Sequence, residues 1–531
     1  MDPIEIDRFQ MHGQDIAWLL GHQAERRPDH PALVWAPREG AGRRWTYAEL
    51  FTDVRRVAAG LAARGIAPGG RVLTHAEHCP EVVPAWLGCA VLGAVAVTTN
   101  TKSVGAEMAY FAEHTRAVAA ITQPRFASML AEAAPGLRWI AVTADDSGEA
   151  PDAAAKAASA RFDRFDALLG DADAFALRTP DPLLPFGIMF TSGTTSRPKA
   201  VVHTHANAIW ASRIGPRNID LGADDTYLIY PPFFHVNAQS WSFFSVLGVG
   251  ATAVLMPKWS QSRFWPVIVE HGVTHVSVMP FAMAALGNPD KPKGHPLRIG
   301  VFGLIMPDLD RAFGIDVYAC YGMTETVTHA THGKPADGLP PGSMGRVTPG
   351  YEIAVVDRET GRLCAEGEMG ELWVRGTRGI QLFLEYADNP EANAKAFEDG
   401  WFKTGDMVKM GPAGAVFYQE RDKDLLKVGG ENVSAREVED VVGRHPSVRS
   451  VAVVAKAHEF LSEVAVAFVI PNSADVDEEK VATEIIDACS ERLASFKVPR
   501  AVYFVDAFPT GTLDKILKNE LRKMADERPP V

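Results

Sequence analysis

The first residues that could do chemistry form a short polar loop between positions 191 and 199. The loop follows an apolar run at 186–190 that is typical of a buried strand. Small side chains leave backbone N–H groups open to an anion, and Lys199 adds a positive charge. A polar surface turn has the same composition, and the Walker A spacing is absent. If the loop binds phosphate, the residues that contact the phosphate groups are Thr191, Ser192, Gly193, Thr194, Thr195 and Lys199.

Two later segments add a carboxylate each. Residues 321–326 read Tyr-Gly-Met-Thr-Glu-Thr, where the ring could lie beside a nucleobase and Glu325 could hold Mg²⁺. Residues 401–406 read Trp-Phe-Lys-Thr-Gly-Asp, where Asp406 could accept from both ribose hydroxyls. Taken singly, the first is equally a glycine turn before a helix, and the second a strand followed by a turn.

Two charged segments close the set. Residues 421–433 are typical of a solvated linker, and residues 509–516 carry Lys515, which by default is a surface lysine. Each is unremarkable alone. Their order after the polar loop gives them weight together.

Composition restricts the class of protein. The chain has 531 residues and a net charge of -13, which argues against nucleic-acid binding and favours more than one domain. Five cysteines without a C-x-x-C pair favour a reducing cytoplasm. The acidic N-terminus lacks signal-peptide character, and the most apolar stretch, 82–97, is too short and interrupted for a membrane span.

Helices and strands must position these segments. Helical periodicity at 47–64 and 81–92 alternates with strands at 72–74 and 95–97, which predicts βαβ units and a mainly parallel sheet. Residues 143–160 have no apolar period and predict a surface loop or a loosely held helix. From 342 to 374, strands at 351–356 and 371–374 with Gly-rich turns predict a small β-rich subdomain. After Arg421, a smaller α+β domain is expected, with a strand at 451–454.

In this order the segments resemble the adenylate-forming acyl-CoA synthetase superfamily, from position 47 to Lys515. Within it, the runs at 190–199, 258–265 and 429–434 look most like carnitine/crotonobetaine-type CoA ligases. The resemblance implies an α/β fold: a large N-terminal domain (1–420) of two α/β subdomains plus a small β-barrel, and a smaller, mobile α+β C-terminal domain (421–531).

The resemblance also implies an ATP-dependent carboxylic acid–CoA ligase with Mg²⁺, ATP and CoA. The acid attacks the α-phosphorus of ATP to give acyl-AMP and pyrophosphate, and then the thiol of CoA displaces AMP. The resemblance assigns catalysis to Lys515, Thr324, Glu325 and His235. It assigns contacts with the ribose or the base to Tyr321, Gly322, Asp406 and Arg421. It assigns the hinge to Lys423, and CoA contacts to Lys427, Gly429 and Gly430.

The acid pocket follows from the same resemblance. Residues 231–257 contain no Asp or Glu, which favours an apolar or aromatic acid at least as much as a cationic, carnitine-like one. Two departures from the family pattern stand out: Asp514 replaces the usual glycine before Lys515, with Lys518 as the alternative lysine, and the turn at 300–307 is atypical. The pocket is assigned to His235, Val236, Asn237, Gln239, Trp241, Phe302, Gly303 and Met323.

Two other functions remain open at this point. The enzyme could load an acyl group onto a carrier protein instead of CoA, or the chain could be a non-catalytic nucleotide-binding protein. The joint presence of Lys199, Glu325, Asp406 and Lys515 speaks against the second.

Overall fold

The helices of this computed structural model lie mainly in the first two-thirds of the chain. The structure describes residues 3–144, 162–191, 197–279, 282–288, 291–421, 425–473, 476–509 and 516–531. Its α-helices are α1 Pro3–Arg8, α2 Ile16–Arg26, α3 Tyr47–Ala63, α4 Val82–Leu92, α5 Gly105–Thr115, α6 Ala127–Ala133, α7 His205–Asn218, α8 Phe244–Val249, α9 Gln261–Glu270, α10 Met283–Leu286, α11 Pro307–Phe313, α12 Pro390–Ala396, α13 Ala435–Val442, α14 Glu478–Ser490 and α15 Lys518–Asp526.

The strands divide into four sheets. In chain order they are β1 Pro31–Trp35, β2 Arg43–Thr46, β3 Arg71–His75, β4 Val95–Thr98, β5 Ala119–Thr122, β6 Ile140–Val142, β7 Phe162–Arg164, β8 Pro185–Thr191, β9 Lys199–Thr204, β10 Thr226–Ile229, β11 Thr252–Leu255, β12 His275–Ser277, β13 Ile299–Phe302, β14 Asp316–Tyr321, β15 Thr331–Gly333, β16 Arg346–Val347, β17 Glu352–Val356, β18 Met369–Arg375, β19 Glu385–Tyr386, β20 Phe397–Glu398, β21 Trp401–Met410, β22 Val416–Arg421, β23 Leu425–Val428, β24 Glu431–Ser434, β25 Val448–His458, β26 Ser462–Pro471 and β27 Ala501–Phe504.

Two mainly parallel sheets form the large domain. The first sheet has the strand order β16-β15-β14-β13-β12-β10-β11-β1-β2, and the second has β19-β9-β8-β4-β3-β5-β6-β7. Their central pairs, such as β3–β4 and β12–β13, run parallel. Helix α4 packs against β3, β4 and β8 of the second sheet and also against α2 and α3, so it is buried along its whole length, which explains its continuous apolar sequence. The predicted βαβ units are confirmed.

The remaining strands form two smaller sheets. The third sheet, with strand order β17-β18-β21-β20 and β22 beside β21, is antiparallel and is the β-rich subdomain that the sequence predicts. The fourth sheet, with order β24-β23-β26-β25 and β27 beside β26, has its own apolar core with α13 and α14. The predicted mixed α/β fold with a smaller C-terminal domain is confirmed.

Local sequence patterns account for the start of one predicted helix and the end of another. Helix α3 begins with a capping box, in which Thr46 and Glu49 exchange hydrogen bonds with each other's backbone N–H. Helix α4 ends at Gly93, whose positive φ of 86° suits glycine.

The predicted loop at 143–160 lies almost entirely outside the described residues, and the boundary between 420 and 421 stays a prediction. In the part of the chain that is described, no helix has the length and apolar character needed to cross a membrane.

Candidate active site

The residues that flank the polar loop of the sequence belong to two strands of the second sheet. Strands β8 and β9 are antiparallel, and Thr191 pairs with Lys199 at the base of the loop. Residues Ser192, Gly193, Thr194 and Thr195 lie outside the described residues. Burial lowers the pKa of Lys199, while the nearby Glu325 carboxylate opposes that shift. Lys199 is therefore the first residue of β9, directly after the loop segment in the sequence, and the buried Glu325 carboxylate lies near it.

Glu325 lies where the two large sheets meet. It belongs to a short 3₁₀ turn, Thr324–Thr326, directly after β14 of the first sheet, and it is only 4% exposed. Its Oε1 accepts a hydrogen bond from the Tyr386 hydroxyl at 2.9 Å and a long one from Thr191 at 3.5 Å. The Nζ of Lys199 lies 4.7 Å from the centre of the Tyr386 ring. The hairpin and the Tyr-Gly-Met-Thr-Glu segment thus converge on one carboxylate.

The chemistry around Glu325 fits a magnesium ion that arrives with a nucleotide. Among the described residues there is no group of three or more His, Cys, Asp or Glu side chains that could hold a metal ion by themselves. Magnesium characteristically takes one or two protein carboxylates and fills its other positions with phosphate and water. A single buried carboxylate near Lys199 meets that requirement.

The first residue of the segment that contains Glu325, Tyr321, contacts Asp406. The Tyr321 hydroxyl donates to Asp406 Oδ2 at 2.5 Å, and Asp406 is 3% exposed. Asp406 lies inside β21 and pairs with Arg421 of β22. The Tyr321–Asp406 hydrogen bond and the pairing of Asp406 with Arg421 therefore bring these three residues together. Gly405 and Asp406 belong to a strand and not to a turn.

A second group of contacts joins the C-terminal domain to His235 and Lys102 of the large domain. The turn Gly429–Gly430 has positive φ at both residues, 58° and 89°, which favours glycine. Directly after it, an oxygen of Glu431 lies 3.3 Å from His235 Nε2 and 4.0 Å from Lys102 Nζ. Burial alone would raise the pKa of Glu431, but His235, Lys102 and Asn100 more than offset this and lower it to about 2.

Of the other residues predicted for CoA binding and the hinge, some can be placed in the structure and some lie outside the described residues. The backbone N–H of Lys427 donates to Glu463 at 2.7 Å, and the Lys427 ammonium lies 5.3 Å from the centre of the Tyr418 ring. A Cβ added to Gly430 would lie 3.9 Å from Met279 Cε, so this glycine faces the large domain. Lys423 and Lys515 lie outside the described residues.

The predicted acid pocket is built on a π-helix, Asn237–Phe243, that follows His235. The Asn237 side chain accepts from the Ser277 hydroxyl at 2.9 Å. Gln239 is fully buried and donates to Phe233 and Thr98, so its amide is occupied within the core. The remaining predicted pocket residues are buried or half-buried: Val236, Trp241, Phe302, Gly303 and Met323.

Sequence reasoning missed a buried ion triad at the domain junction. Lys497 Nζ lies 2.5 Å from Glu107 of α5 and 2.9 Å from Glu437 of α13, and each side chain is at most 7% exposed. Burial raises the pKa of Glu437, an effect that Lys497 opposes. One lysine thus binds a carboxylate of each domain, and no local motif marks its partners because Glu107 is 390 positions away.

Replacement of Lys497 by Met is expected to destabilise the protein by about 3 kcal/mol, because two buried carboxylates lose their counter-ion. Chemical denaturation measures this effect. Glu107→Gln is the matched control, since it leaves the Lys497–Glu437 pair of the C-terminal domain intact and should cost clearly less. Equal losses for the two variants would contradict the importance of Lys497 for both carboxylates.

Comparisons with known proteins agree with this geometry. Residues 20–387 match the family model for AMP-binding enzymes, and residues 437–515 match that for the AMP-binding enzyme C-terminal domain. Crotonobetaine/carnitine–CoA ligase from Salmonella paratyphi A is 31% identical over 527 residues, which cover 96% of this chain and 99% of that protein.

Two solved structures of o-succinylbenzoate CoA synthetase from Bacillus subtilis are also similar, each at 26% identity. A double mutant bound to its product analogue OSB-NCoA superimposes with a TM-score of 0.79 and covers 95% of this chain and 97% of its own. The complex with AMP superimposes with a TM-score of 0.66 and covers 97% and 99%. The two complexes of one enzyme thus differ in how well they match the present arrangement.

Proposed function

The chain belongs to the AMP-binding enzyme family, and we propose that its ATP site is the convergence of Thr191, Lys199 and Tyr386 on Glu325. Its activity is that of an AMP-forming, ATP-dependent carboxylic acid–CoA ligase that works through an acyl-adenylate. The convergence carries the assignment of roles, because it joins a cationic hairpin to a buried carboxylate. Thr191 and Lys199, with the loop between them, hold the β- and γ-phosphates.

The first half-reaction needs charge management more than acid–base catalysis. A carboxylic acid with a pKa of about 4 is already ionised at neutral pH, so no general base is required. The obstacle is the approach of two anions and the departure of pyrophosphate. Thr324 binds the α-phosphate, Lys515 bridges the carboxylate and the α-phosphate, and Asp406 with Arg421 holds the ribose. This is catalysis by position and electrostatics.

A magnesium ion held by Glu325 would neutralise phosphate charge as pyrophosphate leaves. The Tyr386 hydroxyl, at 2.9 Å from Glu325 Oε1, orients the carboxylate for that role. Lys199 lies over the Tyr386 ring and interacts electrostatically with Glu325, so the phosphates would meet a cation and a metal-bearing carboxylate together.

The domain arrangement corresponds, in our proposal, to the second half-reaction. Gly429 and Gly430 lie against the large domain, with Glu431 beside His235 and Gly430 facing Met279. Glycines leave room there for a thin ligand such as the pantetheine arm of CoA. The better superposition on the product-analogue complex than on the AMP complex supports the same interpretation.

An acid-dependent ATP–pyrophosphate exchange assay tests the proposed function. Exchange with at least one acid of a broad panel, followed by AMP and thioester formation when CoA is added, is the expected result. Exchange without thioester on CoA would favour transfer to a carrier protein. No exchange with any acid would overturn the proposed enzyme.

A further inference from the structure

Trp241 fills the space beside the Tyr-Gly-Met-Thr-Glu segment. A Cβ added to Gly322 would lie 3.0 Å from Trp241 Cζ2, so the indole packs directly against the backbone of that segment. His329 also meets the indole edge-on, with ring centres 4.6 Å apart. The ring therefore packs against both Gly322 and His329.

The same indole carries an unused hydrogen-bond donor. Trp241 Nε1 is buried and has no hydrogen-bond partner among the described residues. A buried donor that loses its partner from water costs about 1–3 kcal/mol. That cost is recovered when a ligand brings an acceptor, and the Nε1–H lies on the same edge of the indole as Cζ2, which faces Gly322.

The local backbone is also unusual here. Trp241 belongs to the π-helix Asn237–Phe243, and π-turns within helices occur frequently at functional sites. Side chains anchor the first half of the helix, since Asn237 accepts from Ser277 and Gln239 donates to Phe233 and Thr98. Trp241 therefore has a fixed place and not a freely adjustable one.

We infer that Trp241 closes the acid pocket and selects short carboxylic acids whose acyl part carries a hydroxyl or carbonyl oxygen. The indole blocks extension of the pocket along Gly322, and its Nε1–H donates to that oxygen. The inference rests on the proposed function, because it concerns the acid consumed in the first half-reaction. Trp241 is thereby a specificity-determining residue.

Matched pairs of acids test the role of the donor. In 3-hydroxybutyrate and 3-methylbutyrate a hydroxyl replaces a methyl group of similar size, and 4-oxopentanoate and 4-methylpentanoate form a second pair. The wild-type enzyme should prefer the oxygen-bearing acid in at least one pair, measured as kcat/KM for acid-dependent AMP formation with CoA. Trp241→Phe keeps an aromatic ring but has no N–H, and it should reduce that preference about tenfold.

Pocket length is tested with butyrate and octanoate. Wild-type enzyme should use octanoate at least about tenfold less well, and Trp241→Ala should raise the octanoate-to-butyrate ratio about tenfold or more, since it removes the indole volume. Trp373→Phe is the matched control. Trp373 also has a buried, unpartnered Nε1 but lies in β18 of the third sheet, so its replacement should leave both ratios unchanged.

The outcomes separate the two claims. If AMP forms but Trp241→Phe leaves both pair ratios within twofold of wild type, or wild-type enzyme uses octanoate as well as butyrate, the inference is overturned while the ligase function stands. If no acid supports AMP formation, the proposed function fails and the inference fails with it. Thermal unfolding of each variant shows whether it is folded.

Discussion

Replacement of Lys515 by Ala is expected to slow acyl-AMP formation severely while thioester formation from supplied acyl-AMP is largely retained. In the proposed first step, Lys515 is the group that offsets the charge developing between carboxylate and α-phosphate. Loss of one positioned donor of this kind costs about 100- to 1,000-fold in rate. The arrangement with Gly429–Gly430 at His235 requires no such contact, so the second step should be spared. Single-turnover measurements of each half-reaction give the two rates separately.

Lys518→Ala is the control for this experiment. The Nζ of Lys518 lies 2.8 Å from Glu439 Oε1, and its side chain is 15% exposed, so it is engaged within the C-terminal domain. Its replacement should affect stability more than adenylation, which distinguishes it from Lys515 despite Asp514 in the position where the family has glycine. Equal loss of both half-reactions in Lys515→Ala would contradict a two-conformation cycle.

The elements of the large domain were predictable because their signals are local. The apolar run at 186–190 lies in β8, and the helical pattern at 47–64 corresponds to α3 with its Thr46 capping box. Periodicity and caps depend on residues a few positions apart, and tertiary packing reinforced them here.

The contacts between domains were not predictable in this way. Glu431 reaches His235 and Lys102, and Lys497 reaches Glu107, across separations of up to 390 positions. Such pairs depend on how two folded surfaces meet, and a charged run such as 421–433 is equally typical of a solvated linker. The resemblance identified Gly429–Gly430 but gave no reason to expect a buried carboxylate beside it.

Strand β21 shows a different limit. The sequence Thr-Gly-Asp at 404–406 is typical of a turn, yet the strand continues through it to Met410. Gly405 has a φ of 79°, and the pairing with β18 shifts register at this point. The glycine thus permits a bulge that directs Asp406 toward Tyr321. The preference of glycine for turns thus predicts an unusual backbone conformation at Gly405, but not that the conformation forms a bulge within a strand.

Glu325→Gln is expected to slow acyl-AMP formation about 100-fold or more, because it removes the negative charge on which Thr191, Lys199 and Tyr386 converge while keeping the side chain's shape. A metal ion contributes several kcal/mol to charge stabilisation in phosphoryl chemistry, and a neutral amide holds Mg²⁺ weakly. The requirement for free Mg²⁺ should therefore rise together with the loss of rate. Pyrophosphate exchange measured over a series of Mg²⁺ concentrations gives both quantities, and thioester formation from supplied acyl-AMP should change little.

Tyr386→Phe provides the graded comparison for that result. It keeps the Glu325 carboxylate but removes the hydroxyl that donates to Oε1 at 2.9 Å, so the charge stays while its orientation loosens. A loss of about tenfold or less, with little change in the Mg²⁺ requirement, is the expected outcome. The two variants thereby separate the charge of Glu325 from its placement. If Glu325→Gln behaved like Tyr386→Phe, the carboxylate would serve only to order the hairpin at Thr191, and the magnesium assignment would be wrong.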